Sequence, residues 1–175
     1  MADVKVAIVI PPKNFKDETL SMLSLLLSKK DIRSLVAGFG AKDSLGSHGA
    51  VAKLDVAVTS LDPATVDALI IADGPGVDSF RLYEYRPLLE IVRAFHESKR
   101  LVVGVGNGIK VLAKANVIRD AKIAAADKET ASLVALYHGL QTDSTLVLDK
   151  NVITLSDSSK MEQLAERVAA ALGTA

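Results

Sequence analysis

Three observations predict an α/β sandwich of three layers, a mostly parallel sheet with helices on both faces. Strand-like and helix-like stretches alternate along the whole chain. The strand-like stretches are short, continuous apolar runs, the pattern of strands covered on both sides. Apolar residues make up 49% of the 175, enough to bury a sizeable core.

The elements follow in order. Val4 to Ile10 is a β-branched run, read as the first strand rather than as a signal peptide, and Pro11-Pro12 ends it. Asp17 is placed to cap a helix that carries Leu20, Leu23, Leu26 and Leu27 on one face. Ile32 to Ala37 is the next strand, followed by Gly38 and Gly40. Residues 41–50 read as a loop or hairpin tip, Val51 to Val58 alternates moderately, and Leu61-Asp62-Pro63 turns the chain. Ala68 to Ile71 is a short buried strand running into Asp73-Gly74-Pro75-Gly76. A helix is expected from about Pro87 to Glu97, then a buried strand from Leu101 to Val105 broken by Gly104, Gly106 and Gly108. The next helix carries Lys110, Leu112 and Ala113. Ile123 to Ala126 reads as a short strand and Thr130 to Tyr137 as a helix. Leu146 to Leu148 and Val152 to Leu155 read as a hairpin around Asp149-Lys150-Asn151. Met161 to Leu172 is an amphipathic helix with Leu164, Val168 and Leu172 in register. No repeat or linker interrupts the series, so a single domain over 1–175 is expected.

Composition narrows function. Lys plus Arg is 21 and Asp plus Glu is 21. A net charge of zero lacks the electrostatic footprint of a nucleic-acid binder and gives no reason to expect an anionic membrane. No stretch approaches the roughly 20 apolar residues of a membrane span, and a cytoplasmic location is expected. Cysteine is absent, which excludes disulfides, thiolate metal sites and every cysteine-nucleophile mechanism. His48, His96 and His138 are scattered, read as solvated, and show no metal-ligand spacing. No cofactor is expected. Phe80, Tyr83 and Tyr85 cluster near Arg81 and Arg86, as in a packing or dimer surface.

Ligands of such sheets gather beyond the carboxyl ends of the strands, so three segments draw interest: Pro11–Phe15, Asp73–Gly76 and Gly104–Gly108. Gly104-Val105-Gly106-Asn107-Gly108 joins a strand to a helix. It reads as a tight turn packed against its neighbours or as an anion site built from backbone N–H groups. It lacks the full dinucleotide fingerprint, because Ile109 holds the sixth position. Asp73-Gly74-Pro75-Gly76 reads as a β-turn, or as a loop offering the Gly74 N–H as a donor and Asp73 as an acid or base. No serine lies in a Gly-x-Ser-x-Gly elbow.

Lys5-Val-Ala-Ile-Val-Ile, Asn14-Phe-Lys-Asp-Glu and Asp67-Ala-Leu-Ile-Ile-Ala-Asp-Gly74 together resemble the opening of the ThiJ/PfpI family, within the class I glutamine amidotransferase-like superfamily. Lys99 to Ile118 looks like that family's nucleophile-elbow strand, turn and helix. The resemblance covers nearly the whole chain and implies a flavodoxin-like sheet. Family members carry a cysteine and then a histidine at the elbow; here these fall on Gly106 and Asn107. A glutamate before an aromatic becomes Asn14 before Phe15, and Pro-Gly-Gly becomes Ala72-Asp73-Gly74. A histidine after the elbow helix falls near Ala126. The resemblance implies backbone oxyanion donors at Gly74 and Asn107, and a homodimer.

Loss of the nucleophile, of the residue after it and of the carboxylate that tunes it points to loss of the family's peptidase, deglycase or glyoxalase chemistry. The reading favoured is a non-catalytic member whose degenerate elbow pocket, at Asn14, Asp73, Gly74, Gly106 and Asn107, binds a small anionic ligand. Two alternatives stand beside it. One is a hydrolase or lyase with relocated chemistry, Asp73 serving as base and Asn14 and Asn107 orienting substrate or water. The other is a phosphate or nucleotide binder at Gly104–Gly108.

Overall fold

The first strand is apolar at every position from Val6 to Ile10, and all five residues are completely buried. Alternate side chains go to opposite layers: Ala7 and Val9 into one core, Val6, Ile8 and Ile10 into the other. A strand of this kind requires cover on both faces, and the computed structural model supplies it. The structure describes residues 3–40 and 42–174.

In chain order the strands are β1 (Val4–Val9), β2 (Lys13–Phe15), β3 (Ile32–Gly38), β4 (Ser44–Gly46), β5 (Val51–Ala52), β6 (Val56–Ala57), β7 (Ala68–Ile71), β8 (Leu101–Val105), β9 (Lys122–Ile123), β10 (Leu140–Gln141), β11 (Leu146–Asp149) and β12 (Val152–Leu155). The helices are α1 (Asp17–Ser28), α2 (Pro75–Ser79), α3 (Arg86–Glu97), α4 (Ile109–Lys114), α5 (Lys128–Leu136) and α6 (Met161–Leu172). Seven strands form the central sheet in the order β11-β12-β8-β7-β1-β3-β6. Only β11, the far half of the hairpin with β12, runs antiparallel to its neighbour.

Helices α1 and α6 cover one face through Leu23, Leu27, Leu164 and Val168. Helices α3, α4 and α5 cover the other through Leu88, Val92, Phe95, Leu112 and Val134. Each such fully buried side chain contributes roughly 1.5–3 kcal/mol of transfer free energy. The three-layer sandwich read from the alternation, and the flavodoxin-like sheet that the resemblance implies, are therefore the architecture observed. Among the described residues no helix is long and apolar enough to cross a membrane.

Several local readings need correction. Lys16, not Asp17, is the N-cap of α1, and it makes no side-chain cap. The Asp17 carboxylate instead accepts the backbone N–H groups of His48 and Ala50 at 3.2 and 2.9 Å. It thus ties α1 to the β4–β5 hairpin, the tip expected within 41–50, of which Ala41 lies outside the described residues. Pro11–Phe15 is not simply a loop, because β2 pairs in parallel with β4. Asp73–Gly76 is not a β-turn: Pro75 opens α2, where its fixed φ and missing N–H suit a first helical turn. Gly104 does not break β8 but lies inside it. His96 is half-buried rather than solvated, and its Nδ1 has no partner.

Candidate functional site

Strands β7 and β8 are neighbours in register, with Ile71 beside Gly104. Their carboxyl ends therefore deliver Asp73-Gly74 and Gly106-Asn107 to the same place. After Val105 the chain turns through a short 3-10 segment, Gly106–Gly108, into α4. Gly106 takes φ +53°, a left-handed conformation that costs a residue with a Cβ about 1–2 kcal/mol. The elbow shape is thus present with its strain removed.

The space that a side chain at Gly106 would enter is occupied. An ideal Cβ on Gly106 would lie 2.9 Å from Asp73 Cβ and 3.1 Å from Asp73 Oδ2. Asp73 is only 8% exposed. Thr19, buried on α1, donates its hydroxyl to Asp73 Oδ1 at 2.6 Å, and the Lys16 ammonium lies 3.9 Å from Oδ2. Burial pushes the Asp73 carboxyl above the usual carboxylate range, and the Thr19 bond and the Lys16 charge only partly offset it. Lys16 Nζ also donates to Ser158 Oγ, ahead of α6.

Gly74 sits against the chain on its other side. A Cβ there would fall 2.6 Å from the Asn14 carbonyl oxygen and 2.9 Å from Phe15 Cα, at φ +142°. The Gly74 N–H donates to Asn107 Oδ1 at 3.0 Å, and Asn107 Nδ2 donates back to the Gly74 carbonyl at 2.7 Å. The Asn107 carboxamide thus engages the backbone of one residue, Gly74, on both its donor and its acceptor side. The backbone donor that sequence analysis assigns to an anion is held by a side chain of the protein itself.

A second carboxylate fixes Asn107. Asp78, on α2, accepts from Asn107 Nδ2 at 3.1 Å and from Lys110 Nζ at 2.8 Å. Lys110 is 1% exposed, reaches Glu129 on α5 at 2.8 Å and lies 5.5 Å from the Tyr83 ring centroid. Burial works against charge on both partners, but their mutual bonds outweigh it: Asp78 is held below the usual carboxylate range and Lys110 above the usual ammonium range. Lys110 was read from sequence only as part of a helix. A lysine within Ile-Lys-Val-Leu-Ala, one turn beyond Gly106, is the signal that could have singled it out.

Four of the five predicted site residues, Asp73, Gly74, Gly106 and Asn107, are therefore brought together. Asn14 contributes backbone only. It is exposed at φ +60°, and its side chain makes no hydrogen bond among the described residues. Among the described residues no group of three histidines or carboxylates could hold a metal ion. Among the described residues the elbow offers one buried carboxyl group, one fully engaged carboxamide and no cysteine nucleophile.

Fold and elbow together define a class, and the comparisons agree with it. The model of the DJ-1/PfpI family matches residues 4–171, and the chain belongs to that family. An uncharacterized protein of Methanocaldococcus jannaschii is 26% identical over 159 residues, 88% of this chain and 75% of its own length. The ThiJ/PfpI domain protein of Brachyspira murdochii superposes with a TM-score of 0.91 at 17% identity, covering 99% of both chains. DJ-1beta of Drosophila melanogaster gives 0.86 at 18% identity, covering 99% of this chain and 92% of its own. These two structural likenesses bear on the fold.

Proposed function

We propose that this chain is a non-catalytic member of the DJ-1/PfpI family, acting over 1–175 as one unit, with an elbow that its own side chains have filled. The observation that carries the reading is the contact of Asp73 with the open face of Gly106. A buried carboxyl group stands where a side chain on the elbow would project, and the chain holds no cysteine. Asp73 forms no acid–base pair among the described residues, because its polar partners are the Thr19 hydroxyl and the partly exposed Lys16 ammonium rather than a histidine or a second carboxyl group. No observation favours the phosphate reading at Gly104–Gly108, where Gly104 is a strand residue and a Cβ on Gly108 would fall 2.5 Å from the Ile71 carbonyl oxygen.

The test is turnover of ester, peptide and α-oxoaldehyde substrates by the protein and by Asp73→Asn. Neither is expected to exceed buffer. Turnover by the unmodified protein that disappears in Asp73→Asn would replace this reading with one in which Asp73 is the base. A small anion at the elbow has to take the Gly74 N–H from Asn107 and approach Asp73. The expected stabilisation by acetate is therefore slight, and it grows in Asn107→Ala, which frees the donor. A homodimer belongs to the same proposal; exposed Met22 and Leu25 on α1 support self-association, which sedimentation reads directly. A cytoplasmic location is also part of this reading.

A further inference from the structure

The opposite end of the sheet carries a cleft that the elbow does not account for. It lies at the amino ends of β1, β7, β8 and β12, encloses about 410 Å³, and falls within the roughly 300–1,000 Å³ range of small-molecule sites. Lys99 and Lys150 stand at its rim, Arg100 and Asp67 within it, and Leu101 and Leu172 form an apolar wall.

The charges do not cancel. Both oxygens of Asp67 are engaged: Oδ2 accepts the Lys5 N–H at 2.9 Å, and Oδ1 faces Arg100 Nη1 at 3.4 Å. Arg100 Nε donates to the Pro63 carbonyl at 2.7 Å, which fixes the guanidinium but leaves other N–H groups unspent. Lys99 and Lys150 have no ion-pair partner among the described residues. Burial holds the half-buried His96 below its ordinary pKa; Lys99 and Lys150 add to that and Glu97 opposes it, so both lysines act on the same imidazole. Helices α3 and α6 end nearby, but a helix terminus carries only about half a charge. Arg100 is offset by Asp67, and the two ammonium charges exceed the roughly one negative charge of the two helix ends together.

The cleft is also rigidly built. Asn151 Nδ2 donates to the His96 and Arg100 carbonyls at 3.2 and 2.8 Å, and Val102 N–H donates to the Asn151 carbonyl at 2.8 Å. These bonds clamp the β11–β12 turn to the α3–β8 turn and set Lys150 across from Lys99. The two lysines sit at φ +56° and +62°, so each turn holds its lysine in the left-handed region. In a chain of zero net charge, a dianion bearing a compact apolar group matches this combination of cations and wall.

We propose that this cleft binds a small phosphate monoester, its phosphate between Lys99 and Lys150 and its apolar group against Leu101 and Leu172. The probe is phenyl phosphate, followed by amide chemical shifts of the full chain, with Lys99→Gln/Lys150→Gln as the test variant. Glutamine removes the charge, keeps an unbranched polar side chain and adds no new backbone strain, and a matched far-UV spectrum controls for folding. Saturable shifts centred on Arg100, Leu101 and Asn151 are expected, with at least a tenfold loss of affinity in the double variant and none in Asn107→Ala. Inorganic phosphate should bind more weakly than phenyl phosphate, and vesicles containing phosphatidic acid should not retain the protein. Absence of saturation up to about 10 mM phenyl phosphate, or equal affinity in the double variant, overturns the proposal. Tighter binding in Asn107→Ala, which frees the Gly74 donor, places the ligand at the elbow and overturns it too. Retention on the vesicles overturns a free ligand in favour of a lipid headgroup.

Discussion

Substituting Gly106 with alanine tests the elbow most directly, because two separable effects converge on one methyl group. The backbone at φ +53° charges a residue with a Cβ about 1–2 kcal/mol. The new carbon also arrives 2.9 Å from Asp73 Cβ and 3.1 Å from Oδ2, where unstrained carbons sit about 3.5–4.0 Å apart. Overpacking of that kind costs typically 1–3 kcal/mol. Gly106→Ala should therefore destabilise the fold by about 2–5 kcal/mol. In an Asp73→Gly background the collision is gone and only the backbone penalty remains. The double-mutant cycle should show a coupling of about 1–3 kcal/mol, the pair being less harmful than the sum. Urea unfolding followed by far-UV circular dichroism measures all four corners, the absence of tryptophan making ellipticity the better signal. Additivity within about 0.5 kcal/mol would refute the contact between Asp73 and the elbow. A neutral Gly106→Ala would refute the left-handed turn itself.

Other expectations follow from the same geometry. Thr19→Val strips the Asp73 carboxyl of its buried donor and should cost about 1–3 kcal/mol in thermal or urea unfolding, while raising the Asp73 pKa further. Because burial raises the folded-state Asp73 pKa above 3.8, its contribution is fully present below that value and is lost as pH climbs through the folded pKa. Unfolding titrations should show this loss in the unmodified protein and not in Asp73→Asn. His96 runs the other way: burial, then Lys99, holds its pKa below 6.5. Stability is therefore intact above 6.5 and falls as pH drops toward the folded pKa, a slope that His96→Gln should remove. Asp78→Asn leaves the buried Lys110 with a single carboxylate and should cost about 1–3 kcal/mol. Lys110→Met should cost less, under about 1.5 kcal/mol, because Asp78 and Glu129 are exposed enough to hydrate.

How far the chain could be read without coordinates depended on the range of the interaction. Ala68–Ile71, Leu101–Val105 and Met161–Leu172 match the observed elements to the residue, because continuous apolar runs and a helical stripe are local signals. The β2–β4 pairing was not legible: three residues beside two prolines carry no periodicity, and their partner lies thirty residues on. Asp17 stands where a capping residue belongs, yet its carboxylate is claimed by amides of a distant hairpin. At the site, the glycines announced a turn and the missing cysteine was plain. What filled the vacated space was not, since Asp73 and Gly106 meet only because β7 and β8 are adjacent in the sheet. Lys110 was overlooked for a similar reason: a charged residue normally faces water, and its carboxylate partners come from α2 and α5.

The strand order carries a consequence for how the molecule comes into being. Strand β12, residues 152–155, lies inside the sheet between β8 and β11 rather than at its edge. On the ribosome, everything up to α5 can emerge while β8, the strand that ends in the elbow, still has one side open. An unpaired row of peptide groups flanked by Leu101, Val102 and Val103 is a template for pairing with a neighbouring nascent chain. Closure comes only with the last segment, when the hairpin docks and α6 folds over the seam. A premature stop anywhere before Val152 should therefore yield not a shorter working protein but an insoluble one.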